Sequence, residues 1–314
     1  MRSTALVLPV AVLAGLVAMR GPDARSGSRT SMDCAGCHPT ITREWRDSAH
    51  GRAFVDPIWR KELARTAAPE RCVGRHAPSP VAARLGHMPA PREADRDSGV
   101  DCAACHLQRG VVHGPLGCDV ADHATDPDPL FGEASSVHLC ASCHDTRIGP
   151  VLPLARDFRA SSHARNGRGC VRCHMPHEER TVAVDPDSGK AVGARREGRS
   201  HAILGPADAD FAASAFDVAL RSEGARLLLT VRNLAGHRVP GLLGRSFEFV
   251  VEQRDGARTL TKDTVRLSAD NLLLVDETRE FRIAKTPGAG SAVLHLLHTL
   301  HGASSTLSER EFTW

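Results

Sequence analysis

The chain has 314 residues, a formal charge of +3, 4% aromatic residues and no tyrosine. That length suggests two domains, and so few rings argue against an ordinary large core. No basic run is interleaved with stacking aromatics, so a nucleic-acid partner has no support. Of the 40 basic residues 36 are Arg, the side chain whose planar fork pairs carboxylates, although a GC-rich genome produces the same bias.

Residues 5–19 form an apolar run behind Arg2. This is the order and length of a secretory signal peptide, shorter than a typical membrane span. Residues 1–28 are therefore expected to be a signal peptide or an N-terminal anchor, with the mature chain exported to the periplasm or cell surface. Any membrane contact would run through residues 5–19.

Cys34-Ala35-Gly36-Cys37-His38 follows, and the pattern recurs at Cys102-Ala103-Ala104-Cys105-His106, Cys140-Ala141-Ser142-Cys143-His144 and Cys170-Val171-Arg172-Cys173-His174. C-x-x-C-H is the attachment signature of haem c. Two thiols about one helical turn apart can each form a thioether with one haem vinyl, and the next histidine then sits under the iron as its axial ligand. A lone C-x-x-C would equally suit a zinc ribbon or a redox dithiol, but all four pairs here are followed at once by His. Cys72-Val73-Gly74-Arg75-His76 has Arg in place of the second Cys. The five motif histidines are spaced 38, 30, 38 and 30 residues apart. That regularity predicts a fifth haem held by a single thioether at Cys72. The alternative is a Cys72 that is free or paired with Cys118.

Other histidines offer a sixth iron position. Glu44-Trp45-Arg46-Asp47-Ser48-Ala49-His50-Gly51-Arg52 and Asp157-Phe158-Arg159-Ala160-Ser161-Ser162-His163-Ala164-Arg165 share one pattern: acidic, aromatic, Arg, any, Ser, any, His, any, Arg. This is an internal repeat of a ligand-bearing helix start. His113 follows the third motif closely. Pro, Asp and Gly make residues 119–132 a loop. Residues 178–199, charged and Gly-rich, read as a linker or extended arm leading to His201. His237 stands in a Gly- and Pro-bounded loop. The expected distal ligands are His50, His113, His163, His201 and His237, without assignment to particular haems. His87, His123, His138 and His177 are isolated and suit either ligation or solvent.

Strand-like runs follow at 215–220, 225–233, 246–254, 259–267, 279–284 and 292–300, with Asp255-Gly256 as a hairpin turn. Six short strands suggest an antiparallel β-sandwich. His295, His298 and His301 in its last part form no obvious metal cluster. The expected fold class is α+β, with short helices and loops around covalent haems (29–205), then the sandwich (206–314).

These residues resemble exported multihaem c-type cytochromes related to the tetrahaem cytochrome of nitrifying bacteria. The likeness rests on the first motif with Trp45, Ser48 and His50, and on Gly99-Val100-Asp101 leading into the third motif and His113-Gly114. It also rests on Met175-Pro176 after the last motif, and on Asn233, Gly236, His237 and Pro240 of an Asn-x-x-x-Gly-His-x-x-Pro-x-Gly loop, in which Leu243 replaces the final Gly. The resemblance implies electron transfer between redox partner proteins through closely packed bis-histidine haems, with the loop histidine ligating one of them. Arg75 departs from the pattern. An alternative is a haem oxidoreductase acting on a small nitrogen or sulfur compound at one five-coordinate haem. Hydroxylamine-oxidising relatives use a crosslinked tyrosine, which this chain lacks, and pentahaem nitrite reductases use C-x-x-C-K, whereas all four intact motifs here end in His. A third possibility is that the sandwich docks a redox enzyme or a second copy of the chain.

Overall fold

A computed structural model describes residues 31–81, 85–119, 123–147 and 151–314. The apolar run at 5–19 lies outside the described residues, and among those described no helix is long and apolar enough to cross a membrane. The N-terminal part is built from short helices: α1 (Ser31–Ala35), α2 (Pro39–Asp47), α3 (Pro57–Leu63), α4 (Pro69–His76), α5 (Cys102–His106), α6 (Ser136–His144), α7 (Leu154–Ala160), α8 (Ser162–Arg165) and α9 (Cys170–His174). Each is too short to be stable alone. Proline opens α2, α3 and α4, where its missing N–H costs nothing. Helices α4, α5, α6 and α9 all end on a motif histidine.

Small ladders link them. β1 (Leu107–Gln108), β2 (Val111–Gly114), β3 (Cys118–Asp119) and β4 (Ala124–Pro127) form a sheet in the order β1-β2-β4-β3. The segment expected to be a loop thus contributes a strand. The segment read as a linker or arm folds back instead: β5 (His177–Arg180) pairs with β8 (Arg196–Arg199), and β6 (Ala183–Val184) pairs with β7 (Ala191–Val192). The Val184 amide donates to the Cys37 carbonyl at 2.8 Å, so this hairpin covers the first motif.

After α10 (Ala209–Ala213) come β9 (Phe216–Glu223), β10 (Arg226–Asn233), β11 (Arg245–Asp255), β12 (Arg258–Leu267), β13 (Thr278–Ala284), β14 (Ser291–Leu300) and β15 (Ala303–Thr313). They make two antiparallel sheets, β13-β10-β9 and β12-β11-β14-β15. Period-two alternation buries Leu227, Leu229 and Val231 of one sheet against Phe247, Phe249 and Val251 of the other. The turn at Asp255-Gly256 forms as expected, with Gly256 at φ 55°. β15 was not apparent in the sequence because it is an edge strand, mostly polar and exposed, with Leu307 as its one buried residue.

The sandwich is tied to the haem-motif part by its 234–245 loop and by Asp276. Arg238 forms a two-pronged ion pair with Asp157, Ser162 Oγ donates to Asp276 at 2.7 Å, and Val151 bridges to Leu242. A Cβ on Gly236 would lie 2.5 Å from the Phe158 ring. Only glycine therefore lets the loop seat on α7.

Candidate haem sites

Four motif histidines face a second imidazole. The ring centres are 6.3 Å apart for His38 and His123, 6.2 Å for His50 and His144, 6.2 Å for His106 and His201, and 6.3 Å for His174 and His237. That is too far for ring contact. Two imidazoles on one iron, bonded through nitrogen at about 2.0 Å with the ring centre about 1.2 Å further on, would stand about 6.4 Å apart. Each pair is therefore spaced to hold one iron, and among the described residues no cluster of three or more His, Cys, Asp or Glu side chains suits a bare metal ion.

Protonation and tautomer agree with ligation. Burial holds the imidazoles below their usual range, His50 at about 4, His144 at about 3 and His201 at about 4, with His106, His174 and His237 also lowered. They are neutral, as an iron ligand must be. Backbone carbonyls engage Nδ1 in six of the rings: His38 with Val182 at 2.7 Å, His76 with Ala53 at 2.7 Å, His106 with His113 at 2.8 Å, His174 with Leu204 at 2.6 Å, His201 with Arg199 at 3.0 Å and His237 with Arg238 at 2.9 Å. Each bond fixes the ring and leaves Nε2 for the metal. The residues present fit haem c: paired thiols for the vinyls, then a histidine with its Nε2 free.

The elements explain the placements. Ser48 Oγ donates to the Trp45 carbonyl at 2.6 Å, and the Trp45 indole donates to Val100 at 2.7 Å. Gly99 has φ 61°, and a Cβ there would lie 2.3 Å from the His50 carbonyl, so the Gly99-Val100-Asp101 stretch packs directly beside His50. Asp101 caps α5 through the Ala104 amide at 2.9 Å and pairs with Arg92 at 2.8 Å. Glu44 accepts from both Arg180 terminal nitrogens at 2.9 and 2.7 Å and from the His201 amide at 2.9 Å. Burial pushes the Glu44 carboxyl up, but Arg180 and the His201 amide outweigh it and hold the group below its usual value. Nothing in the sequence singled out Glu44 and Arg180 as the support of His201.

The expected distal residues divide. His50, His201 and His237 each stand opposite a motif histidine. His113 does not: its carbonyl accepts from His106, and its Nδ1 lies 3.5 Å from the Asp128 carboxylate. The repeat at His163 reproduces the turn of His50, with Ser161 Oγ donating to Phe158 at 2.6 Å. Its ring, however, turns to the Leu234 carbonyl at 2.9 Å and to Arg168, because the sandwich loop docks there. His123 takes the place facing His38. Its only sequence signal was its residue type, inside a Pro- and Asp-rich loop.

The fifth motif differs. No histidine ring faces His76 among the described residues. Trp59 lies on it instead, with ring centres 3.5 Å apart and planes 7° apart. Arg75 is 8% exposed, with Nη2 donating to the Thr146 carbonyl at 3.1 Å. Its charge lies beside the Cys143 and Cys72 sulfurs. Cys72 and Cys118 are not joined.

Motif sulfurs from different segments also meet. The Cys34 and Cys102 thiols are hydrogen-bonded, as are those of Cys140 and Cys170. The Cys34 contact and burial push Cys102 well up, and burial raises Cys105 to about 12 and Cys143 to about 11.

Residues 33–107, which span the first three motif positions, match the family described as "Cytochrome c554 and c-prime". No curated protein matches. A penta-heme cytochrome c552 from Thermochromatium tepidum shares the fold, at 17% identity and TM-score 0.65, covering 91% of this chain and 99% of that one. The structural genomics target SoR45 (6% identity, 32% of this chain and 88% of that one, TM-score 0.20) and the Pseudomonas fluorescens alkylpurine DNA glycosylase AlkC bound to abasic-site DNA (15%, 36% and 36%, 0.19) are too dissimilar to inform the fold. The family match over the first three motif positions and the shared fold support a multihaem c-type cytochrome, the class to which the four attachment signatures in this chain point.

Proposed function

We propose that this protein is an exported electron-transfer cytochrome that passes electrons between redox partner proteins through bis-histidine haems, with His38/His123, His50/His144, His106/His201 and His174/His237 as the four ligand pairs. The observation that carries the reading is the common ring spacing of 6.2–6.3 Å. An imidazole on each face leaves no open iron position for substrate. The meeting sulfurs support an order of transfer. Cys34 is hydrogen-bonded to Cys102 and Cys140 to Cys170, and Cys105 is electrostatically coupled to Cys143, an order that links the first, third, fourth and last motifs. The His76 site branches off beside Cys143. Export accords with the apolar run at 5–19, because covalent haem attachment in bacteria takes place outside the cytoplasm. Low-temperature electron paramagnetic resonance of the oxidised protein tests this: four low-spin signals are expected, and more than one high-spin ferric haem refutes it.

A fifth haem under His76, held by one thioether at Cys72, completes the reading. His76 shares the Nδ1 anchoring of the other motif histidines. One observation favours an additional reading here. With no histidine ring facing His76 among the described residues and Trp59 stacked on its imidazole, a haem held here would keep a position open to a small ligand and would be the centre for any chemistry on a nitrogen or sulfur compound.

A further inference from the structure

Arg245 opens β11, at the end of the sandwich loop that carries His237. Its Nε is buried without a hydrogen-bond partner, and no carboxylate of the described residues pairs with it. An arginine does not shed its proton in a protein, so a half-buried guanidinium whose Nε is fully buried without a partner calls for an anion. A second donor stands beside it. His298 faces Phe247 across the β11–β14 ladder, and Arg245, two residues before Phe247, projects from the same face. His298 is 8% exposed, and its Nε2 is also buried and unpartnered. The Arg245 charge is felt at both His298 and His237. Two buried nitrogens without partners, Arg245 Nε and His298 Nε2, thus stand on one face at this end of the sandwich, and the Arg245 charge reaches His237.

We propose that Arg245, with His298 beside it, is the dock for a propionate of the haem held between His174 and His237, so that the β-sandwich sets the potential of that haem. This rests on the reading that the pair ligates a haem. A haem propionate is a carboxylate on a flexible arm at the porphyrin edge, and Arg245 stands at the end of the loop that carries His237 and is electrostatically coupled to it. The fork of Arg245 would bind it in two-pronged fashion, and His298 would supply a further hydrogen bond. Neutralising the propionate favours the ferrous state, because less negative charge then surrounds the iron.

Redox titration of the holoprotein tests the proposal. Arg245→Gln should keep the haem count and raise the oxidised-to-reduced ratio of one haem about tenfold at fixed potential, a shift of ~59 mV for a one-electron couple. Arg245→Lys, which keeps the charge but not the fork, should move the same haem in the same direction by less. Arg245 also lines an open pocket of about 330 Å³, by which a free carboxylate could reach it. Acetate should leave the wild-type potentials unchanged if the dock is filled by propionate. A saturable acetate-dependent shift in the wild type would instead assign the site to free carboxylates and overturn the proposal. If His237→Met moves one haem's potential and neither Arg245 variant moves any, the propionate dock is refuted while the ligand reading stands. If His237→Met moves none, the ligand reading itself has failed.

Discussion

Trp59 lies flat on the imidazole of His76, with 3.5 Å between ring centres and 7° between planes. The indole occupies a face of the ligand ring and leaves its Nε2 direction clear, while the Trp59 Nε1 is buried and unpartnered. The other motif histidines each face a second imidazole at 6.2–6.3 Å between ring centres, and His76 is stacked against an indole. The ferrous protein should therefore bind one carbon monoxide per chain, at this haem. A sulfur-to-iron charge-transfer band with no carbon monoxide uptake would identify a methionine ligand instead. Trp59→Leu should keep the haem count and change the carbon monoxide release rate of that haem alone, with a stability loss of about 0.5–1.5 kcal/mol from the lost stacking.

A single thioether at Cys72 would be visible by mass and absorption. The mature protein should carry five haems, and its pyridine haemochrome should contain a component displaced to longer wavelength by the retained vinyl. Arg75→Cys should remove that component without adding a haem. If the parent instead carries four haems and Arg75→Cys adds the fifth, the single-thioether assignment falls.

His123 and His163 make a contrasting pair of substitutions. His123→Ala should convert the His38 haem from low to high spin, visible by electron paramagnetic resonance, with the haem count unchanged. His163→Ala should leave every haem signal as it was, because its ring bonds the Leu234 carbonyl.

The sandwich should have its own acid limb. Hydrogen bonds from Lys262, Thr259 and Arg254 hold the Glu252 carboxyl at about 2, against an ordinary value of 4.5. A group depressed on folding contributes stability that is full above its unfolded value and is lost as pH falls through its folded one. Glu252 support should thus fade between about pH 4.5 and pH 2. Glu252→Gln should flatten the dependence of unfolding midpoint on pH across that window, read by circular dichroism. An unchanged slope would show that other carboxylates dominate.

The attachment sites were legible because covalent haem binding is local chemistry. Two thiols and a histidine must fall within about one helical turn, so Cys34 to His38 and its three counterparts declare themselves in five consecutive residues. The sandwich strands were legible for a similar reason, since a half-buried strand repeats every two residues, as Phe247, Phe249 and Val251 do. β15 escaped because an edge strand need not bury one whole face.

The distal ligands obey no local rule. An imidazole facing a motif histidine can arrive from any segment that folding brings there, as His123 does from a loop in a small sheet and His201 does with the support of the Glu44–Arg180 pair. The repeat around His50 and His163 makes the difference plain. Both stretches encode the same serine-capped turn, so both histidines leave their helices alike. Only the docking of the 234–245 loop, seated by Gly236 on Phe158, gives His163 a carbonyl to bind and brings His237 to face His174. The chain's local chemistry therefore determined where the attachment motifs stand, and the packing of distant segments decided which second histidine each motif histidine faces.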